Sequence, residues 1–513
     1  MCQNFYLNRT LFSDNQRFSE AELLSTSKYI VILAEPGAGK TELLKSLANQ
    51  LGAKEVTASV FSYMGTGREG SPLVIDAFDE LAKVDATGIH KLLANVSRAI
   101  PTHVIISSRS SEWDSSATNT FEQFIGHAPT VARLCEFDES EQREIYTHHT
   151  EADSFIEFQA EVTRFSLEPL LPNPQFLKLF ADAYMESGGH FTDKRSIFTQ
   201  AITSLAKEAN ANTKPTPSFS SEQKVDLSSE VFAKLLLSGA EGIRISEANE
   251  NRMYPLVGSL LNSSGENISS LLATRLFKPG DNADQHRPVH KIVAEYCAAD
   301  YLTKRIANSS DPLTIEQCLP IIAPNSTVRD ELRGLIGWMA ALGCKSIEEA
   351  AIELDPYAVL ANGDPSQLAT SSKATLLSRL KEVEAVDPYF RRSDSWRRFS
   401  VAGLFTQDVM EEIKPIISDG GDGDLRDLLL ELLVGVKAAS WLVIELRQLL
   451  LSTHESQQVR MLAYNCLSGV ESYDPQLDLS DLIIEASSSS LNIAANVIES
   501  IGTGSFKPSE LEV

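Results

Sequence analysis

Close cysteine pairs are missing from this sequence. The six cysteines stand at 2, 135, 297, 318, 344 and 466. That scatter fits a reducing interior better than a disulfide framework or a zinc site. A secretory leader is missing too: MCQNFYLNRTLFSDNQ has no apolar core between a basic start and a small-residue cleavage site. A cytoplasmic location is the expectation. Long uncharged apolar runs are absent. The most apolar stretch, LLLELLVGVKAASWLVIELRQLLL, carries Glu431, Lys437, Glu445 and Arg447, so no membrane span is expected. Basic charge is scarce: 45 Lys and Arg against 70 Asp and Glu leave a formal charge of −25. That balance opposes non-specific binding to a nucleic-acid backbone. No H-x-x-H pair, Gly-x-Ser-x-Gly elbow or Cys/His constellation is visible.

What is present begins with YIVILAEPGAGKTELLKSLA, Tyr29 to Ala48. YIVIL is β-branched and apolar, a buried strand by length and composition. TELLKSLANQL places Leu43, Leu44, Leu47 and Leu51 on one helical face. Between them, AEPGAGKT matches the phosphate-binding loop pattern except that Ala34 stands at its first glycine. Gly37 and Gly39 let the backbone curl its N–H groups toward phosphate oxygens. Lys40 reaches the β- and γ-phosphates, Thr41 offers a hydroxyl to Mg²⁺, and the helix N-terminus favours negative charge. Pro36, Gly37, Ala38, Gly39, Lys40, Thr41 and Glu42 form the expected nucleotide-binding run, with ATP or ADP and Mg²⁺ as its ligands. The sequence does not decide between ATP and GTP.

A second strand, in SPLVIDAFDEL, ends in Asp76, 36 residues after Lys40. An aspartate at a strand's carboxyl end beside the loop can hold Mg²⁺. Asp79 and Glu80 follow; either could orient or deprotonate the attacking water, Glu80 first. The competing reading is a solvated acidic loop. A third strand, THVIISSR, leads to Arg109, which can reach the γ-phosphate or make a surface salt bridge. A fourth, TVARLCEF, precedes Asp138 and Glu141, a capping-box spacing. Residues 28–150 thus read as a parallel α/β sheet with a nucleotide at its carboxyl edge.

AEPGAGKT, LVIDAFDE and IISSR together resemble the NACHT group of STAND ATPases, signal-transducing switch NTPases. Ala77 after Asp76, then Asp79–Glu80, is the most diagnostic detail. LPNPQFLKLFADAY resembles the following helical segment, and the resemblance implies that Pro174 packs near adenine; it also suits a helix start. RPVHKIVAEYCAADYL resembles the winged-helix signature through Glu295, Tyr296, Ala298 and Ala299. There the resemblance implies that His290 contacts the β-phosphate of ADP and holds a closed form; a structural histidine is the alternative. The likeness covers roughly residues 28–305.

The 513 residues suggest roughly three or four domains. The expected layout is an extension at 1–27, the nucleotide domain at 28–150, a helical domain at 151–212, a winged-helix-like domain at 213–305, a helical connector at 306–417 and HEAT-like repeats at 418–513. NANTKPTPSFSSEQ reads as a linker and SDGGDGD as a flexible break. VRDELRGLIGWMAAL and KATLLSRLKEVEAV read as amphipathic helices. LRDLLLELLVG, VRMLAYNCLSG and LNIAANVIESI align at Arg426, Arg460 and Asn492, offsets of 34 and 32. They read as a HEAT-like solenoid or as three unrelated amphipathic helices. IGTGSFKPSELEV offers little of a polar cap, so a longer parent chain or a stacking partner is expected. The resemblance further implies low ATPase turnover, homo-oligomerisation on activation, a trigger sensed by the C-terminal helices, an effector on a missing segment or separate chain, and a role in prokaryotic antiphage defence or signalling. The alternatives are a constitutive remodelling motor or a scaffold with structural nucleotide.

Overall fold

The computed structural model describes residues 5–13, 16–34, 39–65, 70–78, 81, 88–108, 113, 115–165, 167–191, 193–206, 220–245, 252–261, 268, 271–272, 274–280, 284–391, 399, 401, 403–419 and 423–502. The chain divides into two units, residues 1–162 with 167–301, and 163–166 with 302–513.

The first unit starts with an antiparallel hairpin, β1 (Thr10–Ser13) and β2 (Gln16–Ser19), and helix α1 (Glu20–Thr26). Strand and helix then alternate: β3 (Tyr29–Leu33), α2 (Lys40–Leu51), β4 (Glu55–Thr57), α3 (Ala58–Met64), β5 (Leu73–Asp76), α4 (Gly88–Ala99), β6 (Val104–Ser108), α5 (Ser115–Ile125), β7 (Thr130–Leu134) and α6 (Glu139–Thr150). The sheet order is β2-β1-β7-β3-β6-β5-β4. The five strands from β7 to β4 run parallel, and β1 joins β7 antiparallel.

Four of these strands are the apolar runs read from the sequence. β1, β2 and β4 escape that reading because they are only three or four residues long with no apolar run to mark them, and β2 and β4 are polar edge strands. The central strands are buried on both faces, as parallel strands covered by helices must be. Ile30 and Ile32 pack with Leu43, Leu44 and Leu47 of α2, whereas Val31 and Leu33 pack on the opposite side with Leu92, Leu93 and Phe121. Asp138 caps α6, and Glu141 returns its carboxylate to the Asp138 N–H, completing the expected capping box.

Helices α7 (Phe155–Arg164), α8 (Pro174–Glu186), α9 (Lys194–Ala206) and α10 (Ser221–Ser238) follow. The end of the expected linker is helical instead: Ser220 and Gln223 make a capping box that starts α10. A small antiparallel sheet, β8 (Ile243–Arg244), β9 (Phe277–Pro279) and β10 (Gln285–Pro288), has the order β8-β10-β9. Helix α11 (Val257–Leu260) lies between its strands in sequence, and α12 (Lys291–Ala307) follows it.

The second unit holds helices and, among the described residues, no strand. They are α13 (Ile315–Ile322), α14 (Arg333–Leu342), α15 (Lys345–Leu354), α16 (Pro356–Asn362), α17 (Thr370–Val386), α18 (Gln407–Ser418), α19 (Asp424–Leu433), α20 (Val443–Leu451), α21 (Gln457–Ser468), α22 (Gln476–Glu485) and α23 (Ser488–Ile501). The expectation of an amphipathic helix fails at α14, where every residue from Gly334 to Ala341 is buried. A Cβ at Gly337 would come within 2.7 Å of the Gly363 backbone, so two helices meet there at backbone distance. From α19 onward helices two places apart pack together, α19 with α21, α20 with α22 and α21 with α23, and α20 also packs on α21 and α22 on α23.

Ion pairs repeat along this stack. Arg426 grips Glu455 through both guanidinium ends at 2.9 and 2.8 Å, and Arg460 grips Glu485 at 2.9 and 2.6 Å. Lys414–Glu445 and Arg447–Asp478 form a second series. Asn492, aligned with the two arginines, is exposed. The 428–451 stretch is broken into separate helical pieces, and no helix among the described residues is long and apolar enough to cross a membrane.

Candidate nucleotide site

β3 delivers the chain to the carboxyl edge of the sheet, where the Ala34 N–H donates to the Ser108 carbonyl at 3.2 Å. Pro36, Gly37 and Ala38 lie outside the described residues. Gly39 is the N-cap of α2 with φ +93°, a left-handed backbone, and no side-chain cap. The first helical bond runs from Leu43 N–H to Gly39 carbonyl at 3.1 Å. The amides of Lys40, Thr41 and Glu42 therefore belong to the first turn, whose donors point out of the helix end. The Glu42 carboxylate is on the helix surface, paired with Lys45 at 2.7 Å, so its place in the binding run rests on its backbone.

Asp76 ends β5, and β6 lies between β5 and the loop-bearing β3. The carboxylate still reaches the head of α2, with Thr41 Oγ1 at 3.3 Å from Asp76 Oδ2. Its other oxygen, Oδ1, accepts from Ser107 Oγ and, at 2.7 Å, from Ala77 N–H. Asp79, Glu80 and Arg109 lie outside the described residues. Among the described residues, no group of three or more His, Cys, Asp or Glu side chains could hold a metal ion. A hydroxyl and one carboxylate side by side fit Mg²⁺, which takes one or two protein ligands and completes its octahedron with water and phosphate.

Pro174 and His290, 116 residues apart in sequence, line one cavity of about 340 Å³. Pro174 opens α8, and His290 immediately precedes α12. Leu134, Cys135 and Glu136 contribute the end of β7, and Phe277, Lys278 and Val289 the region of the small sheet. Burial, with the Lys278 charge adding to it, lowers the His290 pKa below its ordinary 6.5. Glu295, Tyr296, Ala298 and Ala299 are buried on α12; the Tyr296 hydroxyl is 2.9 Å from Thr199 Oγ1, so it ties α12 to α9.

Two residues escaped the sequence reading. Arg9 also lines the cavity. It is 5% exposed, donates Nη2 to the Cys135 carbonyl at 2.6 Å, and a Cβ on Gly39 would stand 3.1 Å from its Nη1. Arg9 thus joins the cavity to the phosphate loop. Glu20, 3% exposed, holds Arg9 in place: its carboxylate accepts from the Tyr6 hydroxyl and Arg9 N–H, and from Ser46 and Gln50 of α2. Neither residue stands in a motif, and their separation from the loop in sequence hides the contact. Compared with known proteins, the chain matches no family model and no curated protein.

Proposed function

We propose that the chain is an ATP/ADP-dependent molecular switch of the NACHT type. The observation that carries this reading is a cationic cavity in an acidic chain. Arg9, Arg275 and Lys278, with His290, line it against the single carboxylate of Glu136, in a protein of formal charge −25. It adjoins a Gly-Lys-Thr loop at the head of a helix. Cations gathered this way favour a polyanion, and Pro174 with Phe176 and Phe277 gives the same cavity apolar wall for a base.

In this reading the amides of the α2 first turn and Lys40 bind the phosphates, Arg9 spans from them to the cavity, and His290 contacts the β-phosphate. Thr41 and Asp76 hold Mg²⁺, which when bound neutralises phosphate charge. Glu80, with Asp79, orients or deprotonates water, and Arg109 senses the γ-phosphate. Because His290 follows the small sheet and Gly39 follows β3, one nucleotide held by both ties the two parts of the first unit. Exchange of ADP for ATP releases that tie, the helices of the second unit sense the trigger, and the opened protein oligomerises. Moving a closed-to-open ratio from 99:1 to 1:99 requires about 5.5 kcal/mol of differential binding.

The test is to identify the nucleotide released when the purified chain is heat-denatured. Stoichiometric ADP, lost in Lys40→Ala, is the expected result. An empty site with steady turnover of added Mg²⁺-ATP would replace the switch by a constitutive motor.

A further inference from the structure

We infer that Ser107 is a positioning residue that aims the Asp76 carboxylate at the divalent cation of the proposed nucleotide site. The inference rests on the Mg²⁺-nucleotide reading above and adds a residue and a backbone device to it.

Asp76 is the last residue of β5, where a side chain would ordinarily be free to swing. Three contacts remove that freedom. Ser107, fully buried on β6, donates Oγ–H to Asp76 Oδ1. The Ala77 N–H donates to the same oxygen at 2.7 Å and also meets Ser107 Oγ at 3.1 Å. Both donors act on Oδ1, and Oδ2 is left facing Thr41 Oγ1 at 3.3 Å. The two oxygens are thus divided: one is fixed to the sheet, the other presented to the head of α2.

The backbone takes part. Ala77 has φ +59°, a left-handed conformation that costs an L-residue about 1–2 kcal/mol. A β-branched residue would cost more, so the small side chain after Asp76 suits the left-handed turn by which the chain leaves β5. The interposed strand supplies the rest. With β6 between β3 and β5, a polar side chain on β6 is the one placed to bridge from the sheet to Asp76. Groups that orient a metal ligand from behind typically change metal affinity about 10–100-fold when removed.

The experiment titrates Mg²⁺ into the full chain with a fluorescent ATP analogue, and compares affinities in EDTA. Ser107→Ala is expected to leave the EDTA affinity unchanged and to raise the half-saturating Mg²⁺ concentration about tenfold or more. Ser107→Thr, which keeps the hydroxyl, is expected to restore it. A wild-type Mg²⁺ midpoint in a folded Ser107→Ala protein would overturn the inference. So would equal losses with and without Mg²⁺, the mark of a purely structural role. If Ser107→Ala does not fold, Ser107→Cys, a weaker donor of similar size, is read the same way; an unchanged midpoint overturns the inference. Wild type that binds no analogue would refute the underlying nucleotide reading and the inference with it, and wild type that binds it equally with and without Mg²⁺ would refute the Mg²⁺ role and the inference. A wild-type Mg²⁺ effect that Ser107→Ala leaves intact would refute the inference alone.

Discussion

The Arg9 guanidinium carbon lies 3.7 Å from the centre of the Phe137 ring. Phe137 follows β7, and Arg9 directly precedes β1, the strand that pairs with β7. Planar stacking and a hydrogen-bond fork are properties of arginine that lysine does not reproduce. Arg9→Ala is expected to weaken ADP binding about 10- to 100-fold, the size of a charged hydrogen bond, and Arg9→Lys to recover only part. Fluorescent-ADP titration decides it; unchanged affinity with reduced thermal stability would leave Arg9 a packing residue.

Glu20 gives a prediction on stability. Its oxygens accept four hydrogen bonds of 2.6 to 2.8 Å. Glu20→Gln keeps the shape but turns one acceptor into a donor facing other donors. The expected cost is about 2–3 kcal/mol. Hydrogen exchange should accelerate in β1, α1 and α2 and stay unchanged in the second unit; unaltered protection in α2 would count against this latch.

His290 gives a pH dependence. Its pKa is lowered by burial and then by Lys278, so as pH falls below the ordinary 6.5 the unfolded chain takes up a proton first. The nucleotide-free protein therefore loses stability as pH falls from that value toward the lowered folded one. A phosphate at His290 would raise the pKa again, so ADP binding takes up a proton and strengthens with acidification across the same range. His290→Gln should flatten both profiles relative to wild type. Parallel curves for the two proteins would remove His290 from the phosphate.

The Arg460–Glu485 pair distinguishes its two members. Arg460 is 1% exposed and Glu485 17%. Glu485→Ala leaves an almost fully buried cation and is expected to cost about 3–5 kcal/mol. Arg460→Met leaves a carboxylate that water can reach, and should cost less. The Arg460 hydrogen bonds hold the Glu485 pKa below its usual value, so this contribution is present above about pH 4.5 and is lost as pH falls through the lowered folded value. Denaturant unfolding of both variants at neutral pH checks the order; the reverse order would contradict the burial argument.

The legible parts of the sequence were those with local signals. YIVIL, LVID and VIISS announce buried strands because both faces of a parallel strand are apolar, and GKT marks the head of α2. What stayed hidden was set by contacts across the sheet. Arg9 meets Gly39 only because the hairpin adds to β7, and Ser107 meets Asp76 only because β6 separates β5 from β3. The repeat was half visible: Arg426 and Arg460 align in sequence, but their partners Glu455 and Glu485 stand at different separations.

The second series of pairs is strictly periodic. Lys414 to Glu445 and Arg447 to Asp478 span the same number of residues, and each member recurs 33 positions on. Excising one such period would rejoin a donor helix to an acceptor helix in register. Tandem duplication of one such period would add a layer whose pair in this series matches those already in use. Along this series the stack can thus change in whole steps with its cation–carboxylate pairs kept.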